Sequence, residues 1–375
     1  MNAFAKKDLG NKRLDGLTTL RFFAAAQVVV FHCGAKTLQE YPRWLRGLFL
    51  NGYQAVIFFF VLSGFVLTYS YYHENGAAAL RSTRKDFWIA RFARIYPVYA
   101  LALLISLAPY VHSAFITHAT TIPQFAGGIM CVPLLLQAWI PQVVWEWNIP
   151  AWSLSVEAFF YAVFPWLAVH FLRKTTLMSA LLWSGLLLLV TAICQNYLQG
   201  CWSGSDTKTK FFLFFPVWHL PSFLFGMALG RIFIKSPTRI LGEQAFVLAT
   251  GVLIFIFSQQ ERIPSFFVSN PVLTPLFGIL IFSAANCEGL FKKILGVSWL
   301  VFLGEASYAI YILHEPLSSW TNKVLVDAMG MADNKTYFLI YSAFLLIVSC
   351  TIFALFETRA RIAVAKWLKN KLMNW

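Results

Sequence analysis

The sequence predicts an all-α membrane protein that crosses the bilayer about ten times and keeps both termini in the cytoplasm. Of its 375 residues, 59% are hydrophobic and only 12% are charged, and the mean hydropathy is +0.64. An ordinary soluble domain carries about 25% charged residues. The apolar runs are roughly as long as a helix that crosses a ~30 Å hydrocarbon core, and they lack the period-2 alternation of barrel strands.

Ten apolar segments predict the spanning helices, and several contain Pro or Gly, which membrane helices tolerate. They cover residues 15–35, 53–73, 95–112, 152–172, 177–196, 211–230, 243–260, 271–287, 296–315 and 337–357. The apolar segment 124–140 is short and contains Pro133, so we interpret it as re-entrant or interfacial. We expect one membrane-embedded domain over residues 1–375, with short cytoplasmic tails at 1–14 and 358–375.

The charge distribution sets the orientation and excludes one class of partner. With ten spans, 22 of the 30 Lys and Arg residues lie on the side that holds both termini. This bias follows the positive-inside rule and places the termini in the cytoplasm. The net charge of +14 comes from short clusters between apolar runs, so we expect no nucleic-acid partner.

The six cysteines are scattered and form no CxxC pair, so we expect neither a metal site nor a redox motif. Cys33, Cys131 and Cys201 fall on the predicted outer side, which leaves one disulfide open. We favour the interpretation that the cysteines are scattered apolar residues.

Two ionisable residues share one face of the first span. Arg21 and His32 are eleven residues apart, which is three helical turns plus about 20° and a rise of about 16 Å. Ionisable side chains in a span mark a function or a partner. This face therefore carries a cation towards the cytoplasm and an imidazole towards the outside. Snorkelling of Arg21 to the interface and an interfacial hydrogen bond of His32 remain the structural alternatives.

Further candidates lie on the predicted outer side. Glu157 is about one turn inside the fourth span, after Trp152, Ser153 and Ser155, and an unpaired carboxylate there implies a partner or a water-filled cavity. A glutamate near His32 would orient the ring and raise its basicity. His314, at the end of the ninth span, is more typical of a structural role.

Two further motifs lie in the second span and at the cytoplasmic start of the third. Arg91 and Arg94 are three apart at the cytoplasmic boundary, and paired guanidinium groups match phosphate oxygens. Anchoring to anionic lipid headgroups explains the pair equally well. Ser63 and Gly64 in the second span are typical of close helix packing.

Together these segments resemble the acyltransferase-3 family of bacterial integral-membrane O-acyltransferases. Five stretches match in order: LDGLTTLRFFAAAQVVVFH (14–32), FFFVLSGFVL (58–67), RFARIYP (91–97), WSLSVEAFFYAVFP (152–165) and SYAIYILHEPL (307–317). The first contains the family's Arg-x10-His signature. The matches extend over much of the chain, and their order is more specific than any single motif.

The resemblance implies an O-acetyltransferase of the bacterial cytoplasmic (inner) membrane, in a standalone form without a fused esterase-like domain. It implies acetyl-CoA as the donor substrate, no permanently bound cofactor, and a carbohydrate or lipid-linked glycan as acceptor. Membrane lipid and polysaccharide-assembly proteins are the other expected partners.

The resemblance also assigns roles by position. The implied catalytic residues are His32, Arg21 and Glu157, and the implied donor-binding residues are Arg91, Arg94, Ser63, Gly64 and Phe65. The candidate acceptor-side residues are Trp152, Ser153, Ser155 and His314. His32 would act as general base for the acceptor hydroxyl or carry the acyl group briefly.

Two other classes of function stay open at this stage. An exporter of a glycan or lipid would also use buried His, Glu and Arg, although no inverted repeat is evident. A scaffold in a polysaccharide-export complex would tolerate substitution of Arg21 and His32. Turnover separates them, because only an acyltransferase releases the CoA thiol.

Overall fold

A computed structural model describes residues 13–201, 206–235, 242–264, 266–331 and 335–373. Within these ranges β pairing is confined to an isolated bridge between Tyr72 and Leu80. The α-helices are α1 (Asp15–Cys33), α2 (Ala35–Leu38), α3 (Arg43–Leu50), α4 (Gly52–Tyr71), α5 (Arg84–Phe115), α6 (Ile122–Cys131), α7 (Trp152–Leu167), α8 (Leu177–Cys201), α9 (Asp206–Phe214), α10 (Pro216–Lys235), α11 (Glu243–Ser258), α12 (Asn270–Asn286), α13 (Gly289–Leu295), α14 (Ser298–Thr321), α15 (Lys335–Ile352) and α16 (Thr358–Met373). Single turns of π-helix extend α7, α14 and α15.

The predicted all-α membrane class is confirmed. Seven helical segments in the described part of the chain are long and apolar enough to cross a membrane, and α12 with α13, bent by 98°, would make eight. The two remaining predicted spans coincide with α11 and α14. Every predicted span therefore overlaps a helix, while the total of ten and the cytoplasmic termini stay predictions.

The segment after α6 does not form a single spanning helix, in agreement with the re-entrant interpretation. α6 ends at Cys131, and Leu135 takes a positive φ of 58°. Irregular backbone at membrane depth is tolerated only where protein buries it. Here the hydroxyl of Tyr99 donates to the Val132 carbonyl over 2.5 Å, and that of Ser155 donates to Leu135 over 2.5 Å. Helices α5 and α7 thus satisfy the polar groups of this segment.

Two long helices extend past the hydrocarbon core on the same side. α5 has 32 residues, which is about 48 Å of helix, and the bilayer core is about 30 Å thick. The predicted tail from 358 onward is α16, which continues the last span and packs on α5. Lys369 on α16 binds Asp86 near the start of α5 at 2.9 Å. The two helices are therefore antiparallel where they meet.

A loop on the same side is anchored by Glu74. Its carboxylate accepts hydrogen bonds from Arg231 at 2.8 and 3.0 Å and pairs with Lys235 at 2.9 Å. Burial opposes the charge, but these hydrogen bonds outweigh it and hold the pKa of the Glu74 carboxyl below its ordinary value. The loop between α4 and α5 is thereby fixed to the end of α10.

Helix α4 lies at the centre of the bundle and crosses α10 at very short range. A Cβ at Gly64 would overlap the carbonyl oxygen of Phe223, and one at Gly226 would overlap that of Val61. Small residues allow membrane helices to approach this closely. Phe65 is fully buried beside the contact, and its ring packs at a tilt against that of Phe233.

Replacing Gly64 with leucine should therefore prevent the folded state from forming. The side chain would force α4 and α10 apart, and overpacking of this kind costs about 1–3 kcal/mol or more. Yield of monodisperse protein and its thermal unfolding in detergent measure the effect. Gly185→Leu is the matched control, because no atom lies within 4 Å of a Cβ there. Equal behaviour of the two variants would contradict the crossing.

The cysteines agree with the favoured interpretation. Cys131, Cys194, Cys287 and Cys350 form no disulfide, and the Cys33 thiol donates to the Tyr341 hydroxyl at 3.4 Å. The side chain of Cys201 lies outside the described residues. No bridge therefore joins Cys33 to Cys131.

Candidate active site

Five helices line a cavity of about 180 Å³. Its polar lining comes from α1, α4, α5, α7 and α14. These residues are Arg21, Ser63, Arg91, Arg94, Ser153, Glu157, Tyr161, Ser307, Tyr308 and Tyr311.

The end near the predicted cytoplasmic side is basic. Arg21, Arg91 and Arg94 all line it, which confirms that the two arginines of α5 lie together. The Arg91 guanidinium donates to the Tyr71 hydroxyl at 2.8 Å and lies over the Tyr71 ring, 5.1 Å from its centroid. Aromatic faces and hydroxyls hold this cation inside the protein without neutralising it.

A carboxylate from the C-terminal part of the chain faces the same arginines. Glu357 forms an ion pair with Arg94 and is only 2% exposed, and its second oxygen has no hydrogen-bond partner. One turn later, Arg361 lies within electrostatic range of Arg91, Arg94 and Glu357. Three guanidinium groups therefore line this end of the cavity and a fourth, that of Arg361, lies near it, with fewer carboxylates.

Glu157 lies in the middle of the cavity. Its carboxylate accepts hydrogen bonds from the Tyr161 hydroxyl at 2.5 Å and from the Ser63 hydroxyl at 3.3 Å. Arg21 and Arg91 both lie within its electrostatic range. The carboxylate thus has the partners that its depth in the membrane requires.

The other end of the cavity leads to two histidines. Tyr311 lines the cavity, shares a 2.7 Å hydrogen bond with Ser153, and has its ring 6.0 Å from that of His314. The His314 ring is in turn 5.2 Å from the His32 ring. His32 is exposed, whereas His314 is fully buried.

The buried histidine is held in one orientation. His314 Nδ1 lies 2.5 Å from the Tyr311 carbonyl oxygen, which assigns the proton to Nδ1. Its Nε2 is buried and has no hydrogen-bond partner. A buried hydrogen-bond acceptor without a partner needs an explanation. A proton on His32, or a ligand bound near it, would supply the missing donor.

The pair also has a carboxylate neighbour. Ligand atoms of His32, His314 and Glu315 all lie within 4.8 Å of one another, a set that could hold a divalent ion of the zinc type. The sequence predicts no metal here. Two imidazoles and a carboxylate are also the composition of an acid–base cluster.

Several sequence predictions are corrected by these positions. The expected contact of Glu157 with His32 is wrong, because the carboxylate binds Ser63 and Tyr161 and the ring beside His32 is that of His314. The fourth span places Glu157 towards the arginines, which α-helical geometry alone could not reveal. Arg21 and Glu157, by contrast, line the same cavity.

Several other candidate residues pack against neighbouring helices and do not line the cavity. Of the Ser-Gly-Phe motif only Ser63 lines the cavity, while Gly64 and Phe65 form the contact with α10. Ser155 supports the re-entrant segment, and Trp152 packs against Phe214 with ring centroids 4.8 Å apart. Ser153 is the member of the Trp-Ser-Leu-Ser run that lines the cavity.

The sequence analysis missed Tyr161, Tyr311, Glu315, Glu357 and Arg361. Residues three or four apart share a helix face, so Tyr161 could have been found from Glu157 and Tyr311 from His314. Glu357 is an isolated carboxylate at the end of an apolar span, which is itself a reason to expect a partner.

The fold and this site define a polytopic helical membrane protein with an arginine-lined cavity, one wall of which, Tyr311, contacts a histidine pair. The chain belongs to the acyltransferase-3 family, because the family model described as an acyltransferase domain matches residues 14–356. It is therefore a membrane O-acyltransferase, and the exporter and scaffold alternatives are no longer needed.

Individual relatives agree with this assignment. The chain is 28% identical over 337 residues to acyltransferase MdmB of Streptomyces mycarofaciens, covering 85% of this chain and 83% of that protein. It is 25% identical over 340 residues to O-acetyltransferase OatA of Staphylococcus aureus, covering 84% of this chain and 52% of OatA. The chain thus spans about half the length of OatA. No solved structure matches it.

Proposed function

We propose that the protein transfers an acetyl group from acetyl-CoA, bound from the cytoplasm, to a hydroxyl of an extracytoplasmic or lipid-linked carbohydrate. The observation that carries this proposal is the continuity of the site. One cavity joins three arginines to Tyr311, and Tyr311 contacts the histidine pair on the predicted outer side. The relative OatA is an O-acetyltransferase by name, which supports transfer of acetyl to oxygen.

The basic end is suited to the phosphates of CoA. Arg21, Arg91, Arg94 and Arg361 carry four positive charges, and Glu157 and Glu357 carry two negative charges nearby. The excess of positive charge favours a polyanion, and guanidinium forks bind phosphate oxygens bidentately. When the phosphates bind, they compete with Glu357 for Arg94, so the C-terminal helix takes part in the donor site.

The histidine pair carries out the chemistry. His32 takes the proton of the acceptor hydroxyl while the oxygen attacks the thioester carbonyl, and CoA leaves as a thiolate that is then protonated. His314, fixed by the Tyr311 carbonyl, offers Nε2 to a proton on His32 and so orients the imidazole. This arrangement uses His32 as general base and needs no acyl-histidine.

The positive-inside bias and the family resemblance support the bacterial cytoplasmic (inner) membrane as the location. In that orientation the arginines face cytosolic acyl-CoA. The exposed imidazole of His32 faces the outer leaflet, where lipid-linked glycans and polysaccharide-assembly proteins would meet it.

Membrane vesicles from cells that express the protein test this function. Vesicles are supplied with acetyl-CoA labelled in the acetyl group, and alkali-labile label is counted separately in carbohydrate, lipid and small-molecule fractions. Label in carbohydrate from wild type, and not from His32→Ala, supports the proposal. Label confined to lipid or to a small molecule overturns the carbohydrate acceptor.

Removal of metal should leave the transfer rate unchanged, because an imidazole is assigned as the base. Purified protein is dialysed against a strong zinc chelator, and the release of CoA is measured before and after. A loss of activity that added Zn²⁺ restores would contradict this prediction. In that case His32, His314 and Glu315 would be metal ligands.

A further inference from the structure

A second cavity, of about 230 Å³, lies on the same predicted outer side as His32. It is formed where α8 and α11 end and where α4 and α12 begin, with α9 as the remaining wall. None of the residues discussed for donor binding lines it.

The polar groups that line this cavity are uncharged. They include five side-chain amides and a hydroxyl, at Gln54, Gln195, Asn196, Gln260, Asn270 and Ser269. The described lining residues include no Lys, Arg, Asp, Glu or His. Amides offer donors and acceptors side by side, which matches neighbouring hydroxyl groups of a neutral ligand. The first cavity differs from this one, because its arginines favour an anion.

Two lining groups are buried without a hydrogen-bond partner. Gln54 is 1% exposed; its Nε2 donates to the Val268 carbonyl at 2.6 Å, and its Oε1 has no partner. The hydroxyl of Ser269 is likewise buried and unpaired. Leaving such groups unsatisfied is costly, and a ligand with hydroxyl groups would satisfy both.

The cavity adjoins the catalytic histidine through two aromatic rings. Tyr53 lines it and has its ring 5.9 Å from that of Phe31, and the Phe31 ring is 4.9 Å from that of His32. The close approach of Gly52 to Phe31 fixes the start of α4 against α1. A ligand that extends past Tyr53 would bring a hydroxyl to His32.

We propose that this amide-lined cavity is the acceptor subsite and that it binds a neutral, polyhydroxylated sugar unit. The proposal rests on the proposed transfer to carbohydrate. It adds a place for the acceptor and predicts that neutral sugars bind better than acidic ones, because the described lining residues include no cation to pair with a carboxylate.

Binding can be tested without acetyl transfer. The full-length protein in nanodiscs is presented with neutral methyl glycosides and with a methyl uronide as the charged counterpart, and binding is detected by saturation-transfer NMR. Gln260→Leu should weaken binding of the neutral glycosides about fivefold to tenfold, the scale of one lost hydrogen bond. Gln259→Leu, one residue away and outside the cavity, is the matched control and should bind as wild type. Asn196→Leu, at the exposed rim, provides a second variant if Gln260→Leu does not fold.

The outcomes separate this proposal from the proposed function. Binding of neutral glycosides by wild type and by His32→Ala, lost in Gln260→Leu or Asn196→Leu, supports the subsite even if no acetyl transfer is detected. Carbohydrate acetylation whose acceptor KM is unchanged in both cavity variants overturns the subsite and leaves the function standing. Preferential binding of the uronide, or a phospholipid that copurifies and blocks the glycosides, also overturns it.

Discussion

Replacing His32 with alanine should abolish acetyl transfer to the acceptor while the protein stays folded and still binds acetyl-CoA. The imidazole is the exposed member of the histidine pair, and removing a general base costs about 10²- to 10⁴-fold in rate. Because the arginines lie at the other end of the cavity, the Kd for acetyl-CoA should change little. Initial rates of transfer and equilibrium binding of the donor measure the two effects separately.

His170→Ala is the matched control for that experiment, since His170 is exposed and contacts only the Trp166 carbonyl among the hydrogen bonds described. It should transfer acetyl at the wild-type rate. A His32→Ala protein that is well folded and transfers at more than a tenth of the wild-type rate would remove His32 from the chemistry.

The second large effect is expected at the basic end of the cavity. Arg91→Ala or Arg361→Ala should raise the KM for acetyl-CoA about 10- to 100-fold, because each loses a charge-assisted contact with a phosphate. The same variants should use acetyl-pantetheine, which lacks the nucleotide and its phosphates, as well as wild type does. The comparison of the two donors isolates phosphate binding from any change in the fold.

Arg359→Ala serves as the control on the same helix, because Arg359 is exposed whereas Arg361 lies near Arg91 and Arg94. Its KM for acetyl-CoA should match wild type. Equal losses with acetyl-CoA and acetyl-pantetheine would mean that the arginines support the fold or the acyl-transfer step and do not bind the nucleotide phosphates.

The positions of the helices could be predicted from sequence because helix formation in a bilayer depends on the local sequence. An apolar run of sufficient length forms a helix in a bilayer whatever surrounds it, so each predicted span lies on a helix. The break near Pro133 could also be predicted locally, because the apolar segment there is short and contains a proline. The extension of the last span into α16 was not, because α16 is polar enough to be a tail and becomes ordered by packing on α5.

The candidate site was predictable residue by residue but not in its pairings. An ionisable side chain in an apolar run is conspicuous, so Arg21, His32 and Glu157 were found from sequence. Which of them meet depends on how α1, α7 and α14 cross, and that is set by long-range packing. The sequence therefore paired His32 with Glu157, whereas the structure pairs it with His314.

The most direct test of the central claim is the release of free CoA thiol by purified protein in nanodiscs. Acetyl-CoA is supplied with pooled cell-envelope glycans as acceptor, and thiol is followed with a chromogenic reagent. The account predicts release of CoA by wild type, dependent on added glycan, and none by His32→Ala. A well-folded wild-type protein that binds acetyl-CoA and releases no thiol would contradict the claim that this cavity joins the donor to the histidine pair.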